Sequence, residues 1–491
     1  MRICLFAFCA VLLIQRNLYA QQKWAHKARF TTEFGAIATS TQRMPFWFRV
    51  NQFGVVPFNA PVGIIRLASA GTIHKDTVCE SWLIKYGIEL AGNVGAVNRA
   101  IFPEAFIKVD KAHWELVVGR RRRIFGLADS TLSSGSYSWS SNALPISKIE
   151  FGTQDFVPIH FTKGLIAINA FFAHGWFTNT DSIKRSFLHQ KALYGRIGKP
   201  NWKVKFYGGI LHNVQWGGRS RYLGAGSSVN GQLPSSFRDF LHVIISKQPS
   251  QTSQVSFHDR VNQFGNHVGS LDIGAEIKSK PLTVLLYHQH PFEDKSGIAL
   301  MNLPDGLYGI QFKRRSITSK YAFKINKLLI EYLTTMNQSG HTMETKYAQY
   351  QGIDDYFNNF QYKDGWTHSG SILGTPFISR QQEVESIWQN RPGKYRLTVV
   401  NNRVKVFYLG MEGELGSNLS FQTRLSLSQN YGTYRNPFGR SVNQFSGVAS
   451  LLWNTNWLRG TELISSVSLD NGNLYKNSLG VWISFKKHLD L

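Results

Sequence analysis

Cysteine is nearly absent from this chain. There are three, and Cys4 and Cys9 both sit in the opening apolar run, leaving Cys79 alone in the remainder. A lone thiol has no internal disulfide partner, so stability must come from burial and backbone pairing. Long apolar runs are missing too. After residue 20 no 18-residue apolar run occurs, and the weakly polar stretch from Gly164 to Phe177 is broken by Asn169, His174 and Gly175. No transmembrane helix is evident from such a pattern. Acidic residues are scarce, 30 Asp and Glu against 55 Lys and Arg, for a formal charge of +25. A Gly-x-Ser-x-Gly turn is also lacking, which removes the usual mark of a serine hydrolase.

What is present at the N-terminus is an export pattern. Met1-Arg2 gives a basic start, Ile3 to Ile14 is apolar, and Leu18-Tyr19-Ala20 places a small residue before Gln21. This is the order of a secretory signal peptide. Neither Cys4 nor Cys9 stands at a convincing lipidation site. The expected organisation is a signal peptide over 1–20 and one domain over 21–491. Loss of Arg2 and Arg16 lowers the charge from +25 to +23. In an exported chain such an excess suits anionic lipid headgroups or an acidic polysaccharide better than nucleic acid, with charge spread over loops for solubility as the plain alternative.

A membrane protein without apolar helices has to be a closed barrel, because every backbone polar group in lipid needs a partner. The C-terminal third carries the strands this requires. Leu419, Phe421, Thr423, Leu425 and Leu427 alternate with Ser420, Gln422, Arg424, Ser426 and Ser428. Leu463 to Leu469 repeats the pattern less cleanly, and Leu479, Val481, Ile483 and Phe485 alternate with Gly480, Trp482 and Ser484. Alternating segments of about ten residues cross a membrane at a tilt. Asn471-Gly472-Asn473 and Gly416-Ser417-Asn418 supply turns. A soluble sandwich or propeller would alternate similarly; small Ser, Thr and Gly on the polar faces favour a barrel.

The expected fold class is therefore all-β, a transmembrane antiparallel β-barrel. At roughly 25 residues per strand and connection, its length predicts about 18 strands. A final strand over Leu479 to Phe485 should return to the periplasm. Counting back puts the Gly416 turn in the periplasm and Gln429 to Gln444 outside, if Phe445 to Trp453 is one weakly alternating strand. One segment departs from period two. Phe237, Phe240, Leu241, Ile244 and Ile245 follow helical spacing, and Ser236 with Asp239 resembles a capping box. A short amphipathic helical insertion is expected near 235–247, closing the lumen, packing at the periplasmic rim, or serving as an ordinary loop helix.

Several longer strings carry a resemblance. They include MPFWFRVNQFG at Met44 to Gly54, LSSGSYSWSSNALP at Leu132 to Pro145 and FLHQKALYGRIGKPNWKVKFYGG at Phe187 to Gly209. HNVQWGG at His212 to Gly218, HPFEDKSGIALMNLPDGLYGI at His290 to Ile310, GWTHSGSILGTPFIS at Gly365 to Ser379 and NNRVKVFYLGMEG at Asn401 to Gly413 continue the series. In order and spread the chain resembles the capsule-assembly Wzi family, in its Bacteroidetes-type form. The resemblance implies an outer-membrane barrel of about 18 strands, occluded by short helices at the lumen or rim. It implies a surface lectin that helps attach or assemble capsular or exopolysaccharide, without being an enzyme and without a cofactor. Two features depart from it: the chain ends Asp490-Leu491 without a terminal aromatic, and it is more basic than a generic lectin needs. The runner-up functions are a porin-like channel for anionic solutes or glycans and a surface enzyme.

A lectin needs aromatic faces for sugar rings and donors for hydroxyls and carboxylates, and the planar Arg fork suits uronic acids. Tyr431, Tyr434, Arg435, Phe438 and Arg440 fall in one predicted external stretch, with a membrane-interface aromatic girdle as the plain alternative. Arg120 and Arg121 begin a run of four arginines after a strand-like Trp114 to Val118, suited to anionic glycan, to lipopolysaccharide phosphate or to a solvated strand end. Trp139 and Trp216 are further sugar-stacking candidates, or packed lumen or girdle aromatics. His288 and His290 would share a strand face, but no third ligand stands at metal spacing. Glu293, Asp294 and Asp305 are read first as neutralising lumen cations, then as acid–base or cation-holding groups. The expected partners are an acidic polysaccharide and the outer-membrane lipids and lipopolysaccharide, with a monomer favoured.

Overall fold

A computed structural model describes residues 24–75, 82–224, 228–247, 264–315, 322–341, 352–389, 396–455 and 460–490. The predicted signal peptide and Cys79 lie outside the described residues. Nineteen strands share one sheet, and one of them, Val157–Pro158, is a two-residue extension beside its neighbour. The other 18 close a ring. They are β1 (Trp24–Thr39), β2 (Val62–Lys75), β3 (Leu83–Gly95), β4 (Arg99–Lys111), β5 (Trp114–Arg120) and β6 (Ser147–Thr153). Next come β7 (Ile166–Trp176), β8 (Phe187–Ile197), β9 (Val204–Trp216), β10 (Asn266–Lys278), β11 (Leu282–Phe292) and β12 (Gly306–Arg314). The last six are β13 (Phe323–Thr334), β14 (Val404–Leu415), β15 (Leu419–Gly432), β16 (Pro437–Asn454), β17 (Thr461–Gly472) and β18 (Ser478–Asp490). Each pairs antiparallel with the next, and β18 returns to β1 from Arg29↔Asp490 to Thr39↔Gly480. Closure leaves no strand edge, as a lipid environment requires.

The pleat explains why the sequence alternates. On β15 Leu427 is 58% exposed while Ser426 and Ser428 are buried, and on β18 Phe485 is 55% exposed while Ser484 is 0% exposed. Apolar side chains point out and small polar ones point in. A soluble sandwich would show the reverse, so this wall is built to face hydrocarbon. β18 runs five residues past the predicted Phe485, and Arg29 Nε meets Asp490 Oδ1 at 2.6 Å to fasten the seam. The missing terminal aromatic therefore costs no strand pairing. Phe445 to Trp453 does lie in one strand, β16; its alternation is weak because Gly447 and Ala449 occupy the outward apolar row.

Both chain ends lie at one end of the ring. Connections there are short, as at 112–113, 279–281 and 416–418, and Gly416 takes φ +72° in the last of them. The opposite end carries the long segments 40–61, 121–146, 217–265 and 335–403. Outer-membrane barrels have short periplasmic turns and longer extracellular loops, which assigns the long-loop end to the outside.

Three long segments fold into the lumen from that end. The first contains α1 (Phe46–Arg49), whose four residues are all buried. The second is the serine-rich run 133–146, buried almost throughout. The third supplies Tyr356, Phe357, Trp366, Leu373 and Phe377 to the same apolar cluster. Strand side chains hold the plug in place. Glu331 Oε2 accepts from the Ser134 amide at 2.7 Å, Gln289 Oε1 accepts from the Tyr137 amide at 2.9 Å, and Trp47 Nε1 donates to Ser446 O at 3.0 Å. Segments 133–146 and 366–375 lie against each other through Ser140 N to Leu373 O at 2.8 Å and Trp366 Nε1 to Ser138 O at 2.8 Å. Gly374 permits this, since a Cβ there would sit 2.2 Å from Tyr137 O.

The helix expected near 235–247 spans α2 (Phe237–Ile245), with Ser236 and Asp239 in a reciprocal capping box. Its place differs from the sequence expectation of the lumen or the periplasmic rim. It packs on the outer wall near the long-loop end, where Phe240 stacks on Trp216 at 5.4 Å. The physical reason is that the lumen is already filled by loop segments, while the outer wall of β7–β10 carries polar residues that need a cover.

Candidate functional site

A polar concavity at the long-loop end, of about 780 Å³, is lined by segment 42–61, segment 383–389 and the β17–β18 hairpin. Arg43 lies 4.3 Å over the Phe58 ring and Arg49 lies 5.0 Å from the same ring. Arg49 Nη1 reaches Glu383 Oε1 at 2.7 Å. Burial opposes ionisation of the Glu383 carboxyl, but Arg49 and Arg380 outweigh it and hold it below the usual carboxylate range. The floor is aromatic: Phe46 stacks on Tyr475 at 5.5 Å and 15°, and the Tyr475 hydroxyl pairs with Ser379 Oγ at 2.8 Å. Gln42, Asn59, Gln389 and Lys476 add donors and acceptors at the opening. Arg49 Nε is buried with no hydrogen-bond partner. Rigid aromatic surface beside a few converging polar groups is the usual make-up of a small-molecule site.

The predicted external hairpin stands beside this cavity and divides by face. Tyr431 points to the outer surface of β15. Tyr434 donates from its hydroxyl to Met336 O at 2.9 Å and lies under the Arg403 guanidinium at 4.0 Å. Arg435 Nε is 3.5 Å from Asp355 Oδ2. Phe438 packs on Trp388 at 4.8 Å, and Arg440 lies 5.7 Å from the same indole. Trp388 in turn anchors segment 383–389 by donating to Asn473 O at 2.6 Å. The hairpin thus supports the wall of the cavity.

The remaining candidates fall elsewhere. Arg121 is in the lumen, 2.9 Å from Glu115 and 2.8 Å from Glu150. Arg122 meets Glu89 at 2.8 Å, Arg123 also pairs with Glu150, and Arg120 donates to Phe102 O at 2.9 Å. Trp139 is inside the plug, 6.1 Å from Trp366, and Trp216 is on the outer wall beneath α2. His288 and His290 do share a face, with ring centroids 5.9 Å apart, but each is used in packing: His288 stacks on Tyr308 at 4.1 Å and His290 meets Gly297 O at 3.1 Å.

The acidic trio corrects its first reading. Among the described residues Glu293, Asp294 and Asp305 form no ion pair with lumen cations. Glu293 accepts from the Phe357 amide at 2.8 Å, Asp294 from the Ser296 amide at 2.8 Å, and Asp305 from the Asn337 and Gln338 amides at 3.0 and 2.8 Å. Glu293 and Asp305 thus tie segment 293–305 to Phe357, Asn337 and Gln338, and the lumen cations are answered by Glu33, Glu89, Glu115, Glu150 and Asp110 instead. Asp354 joins the trio through Ser339 Oγ at 2.7 Å. Burial and the neighbouring Asp294 push its carboxyl up to about 8.

Sequence reasoning missed the cavity residues. Arg43, Arg49, Glu383 and Gln389 come from segments more than three hundred residues apart and show no local pattern. The available signal was the aromatic–arginine string around Met44 to Gly54.

Comparison with known proteins agrees with this architecture. No curated protein matches the chain in sequence. Among solved structures it is similar to the outer-membrane protein Wzi of Escherichia coli, described as a carbohydrate-binding β-barrel involved in group 1 capsule assembly. Identity is 13%, covering 93% of this chain and 83% of that one with a TM-score of 0.56. It is also similar to OccAB4 of Acinetobacter baumannii, at 9% identity, 96% and 99% coverage and a TM-score of 0.50. The sequence model for capsule assembly protein Wzi matches residues 16–389. The chain belongs to the Wzi family of capsule assembly proteins, and its barrel is of the outer-membrane type.

Proposed function

We propose that this protein is a surface lectin that holds capsular or exopolysaccharide at the outer membrane, with the cavity at the outer mouth as its glycan site. One observation carries the reading. A polar, aromatic-floored cavity of about 780 Å³ opens at the long-loop end, above a lumen filled by the protein's own loops. The stacked Phe46–Tyr475 pair and Phe58 offer apolar ring surface, and Arg43, Gln42, Asn59 and Gln389 offer hydroxyl and carboxylate partners. The hairpin cations Arg435 and Arg440, with Arg403 just before β14, favour an acidic glycan. The similarity to a carbohydrate-binding barrel supports the same reading. No chemistry is needed for this role, and none of the cavity groups forms a nucleophile–base pair.

The channel reading is weaker because the apolar plug occupies the lumen and is bonded to β11, β13, β14 and β16. The test is deletion of the gene in a capsulated host. Polysaccharide should pass into the medium while its synthesis continues, and the Arg43→Ala, Gln389→Ala double variant should fail to restore retention. Full surface retention in the deletion strain would remove the proposal.

A further inference from the structure

The outer wall below the long-loop end is unusual on one side. His174, His189, Lys191, His212 and His267 occupy outward positions on β7–β10, in rows that elsewhere carry Phe172, Leu193, Phe206 and Ile273. Polar groups on a lipid-facing wall are costly. α2 covers them. The Phe240 ring lies 5.3 Å from that of His174 and 5.8 Å from that of His189. Lys191 Nζ donates to Ile244 O at the negative end of the helix dipole. The far side of α2 then exposes Phe237 (76%), Leu241 (46%) and Ile245 (65%), spaced by four residues along one stripe. A stripe of this kind on the outside of a barrel takes over the hydrocarbon contact that the wall beneath has lost.

Between this helix and the wall is an apolar groove of about 440 Å³, bounded by Ile149, Phe151, Phe172, Phe237 and Phe240. Adjoining it toward the long-loop end is a second cavity of about 670 Å³, and Phe187 and Ser235 line both. The second cavity is basic. Lys184, Arg185, Arg219 and Arg221 line it with Asp181 as its one carboxylate. Paired backbones hold it in shape, with Lys184 N donating to Arg219 O at 2.9 Å and the reverse bond at 2.8 Å. Lys184, Arg185 and Arg219 have no ion-pair partner among the described residues.

We propose that this paired groove and basic cavity bind a phosphorylated, acylated glycolipid of the outer leaflet. Acyl chains lie along α2, and phosphates are held by Arg185, Arg219 and their two neighbours. Two features favour this occupant over a protein: the apolar half faces hydrocarbon, and the cationic half sits at the membrane interface where lipid phosphates concentrate. Guanidinium groups bind phosphate through paired hydrogen bonds. The site is separate from the glycan cavity and would stand if the glycan reading failed.

The experiment uses the purified full chain in neutral detergent and measures binding of diphosphoryl lipid A, its dephosphorylated form and phosphatidylethanolamine by native mass spectrometry. The wild type should prefer diphosphoryl lipid A to both of the others. Arg185→Gln with Arg219→Gln should weaken that binding on the order of thirtyfold, as expected for two interfacial charges, with heat-modifiable mobility unchanged. Leu241→Asn should weaken all acylated ligands and leave the phosphate preference intact. Equal binding of the three lipids, or an unaffected charge variant, would overturn the proposal. So would full competition by millimolar inorganic phosphate, which would make the cavity a free-anion site.

Discussion

Arg49 and Glu383 meet at 2.7 Å across the outer mouth of the barrel, with side chains 10% and 4% exposed. The pair ties the segment between β1 and β2 to the long segment between β13 and β14, across the cavity at the outer mouth. Removing Arg49 leaves the buried Glu383 carboxylate with Arg380, at 3.8 Å, as its remaining cation, an incomplete pairing that costs up to about 3 kcal/mol. Arg49→Ala should therefore weaken glycan binding and speed proteolysis within 379–389, while the barrel keeps its heat-modifiable mobility. Arg49→Ala with Glu383→Ala should be cut more slowly than Arg49→Ala alone. An equal or faster rate would mean that the pair does not organise this wall.

The hairpin residues should act through that same wall. Phe438→Ala removes the ring packed on Trp388 and should reduce glycan affinity together with protection of 383–389. Tyr434→Ala with Arg435→Ala breaks the bonds to Met336 O and Asp355 and should weaken acidic glycan more than neutral glycan. Titrating both variants with one acidic and one neutral polysaccharide separates the two roles. If the pair variant loses heat-modifiable mobility, Tyr434 and Arg435 are structural.

Glu150 is the anion at the centre of the lumen network, with Arg121 and Lys148 each at 2.8 Å and Arg123 also paired. Glu150→Gln leaves three neighbouring cations without this partner and should cost about 3–5 kcal/mol, read as a lower urea midpoint. Glycan affinity should not change in this variant or in Arg121→Gln. Loss of affinity at normal stability in Arg121→Gln would return that arginine to the glycan site.

These predictions rest on unequal legibility. β15 and β18 could be read from residue order, because strand pleat and burial both have period two and their Ser and Leu fall on opposite faces. α2 could be read from Ser236, Asp239 and its apolar spacing, since capping is local. Its position could not, because the polar wall it covers is contributed residue by residue from four strands. The plug was opaque for a similar reason. Ser134, Tyr137 and Ser140 have no periodicity of their own, and their conformation is set by Glu331, Gln289 and Leu373, more than 150 residues away in sequence. The arginine run looked like a free patch because two of the glutamates that answer it, Glu89 and Glu150, lie about thirty residues to either side, and the third, Glu115, is turned onto the run only by the strand pleat of β5.

Asp354 gives the external surface a pH dependence. Burial and Asp294 raise its carboxyl to about 8, while the Ser339 and Ser296 hydroxyls pull it down. The unfolded chain releases this proton near the ordinary value of about 3.9. Between those two values the native state holds a proton that the unfolded state has lost. The stability contribution is therefore complete below about pH 4 and is lost as pH rises through about 8. Burial raises Glu293 in the same direction. The protection factor against hydrogen exchange in 293–305, with the intrinsic base-catalysed rate divided out, should fall between pH 6 and pH 9, and Asp354→Asn should flatten the change. A flat wild-type profile would show that the cluster is not proton-linked.

The plug leads to the most discriminating prediction about lectin or channel. The wild type should show no open conductance in planar bilayers. Gly119 and Lys148 are direct register partners on β5 and β6, so a short Gly-Ser linker can replace the segment between them without disturbing the ring. Excising 124–146 should open a pore. Excising 121–146 also removes Arg121, Arg122 and Arg123 and leaves Glu89, Glu115 and Glu150 short of partners. The second pore should therefore be more cation-selective than the first, because three positive charges have left the same lumen. Equal selectivity would mean that these arginines do not reach the conduction path. A large open conductance in the wild type would favour transport over retention, since a lumen already open to ions has no need of the cavity at its mouth.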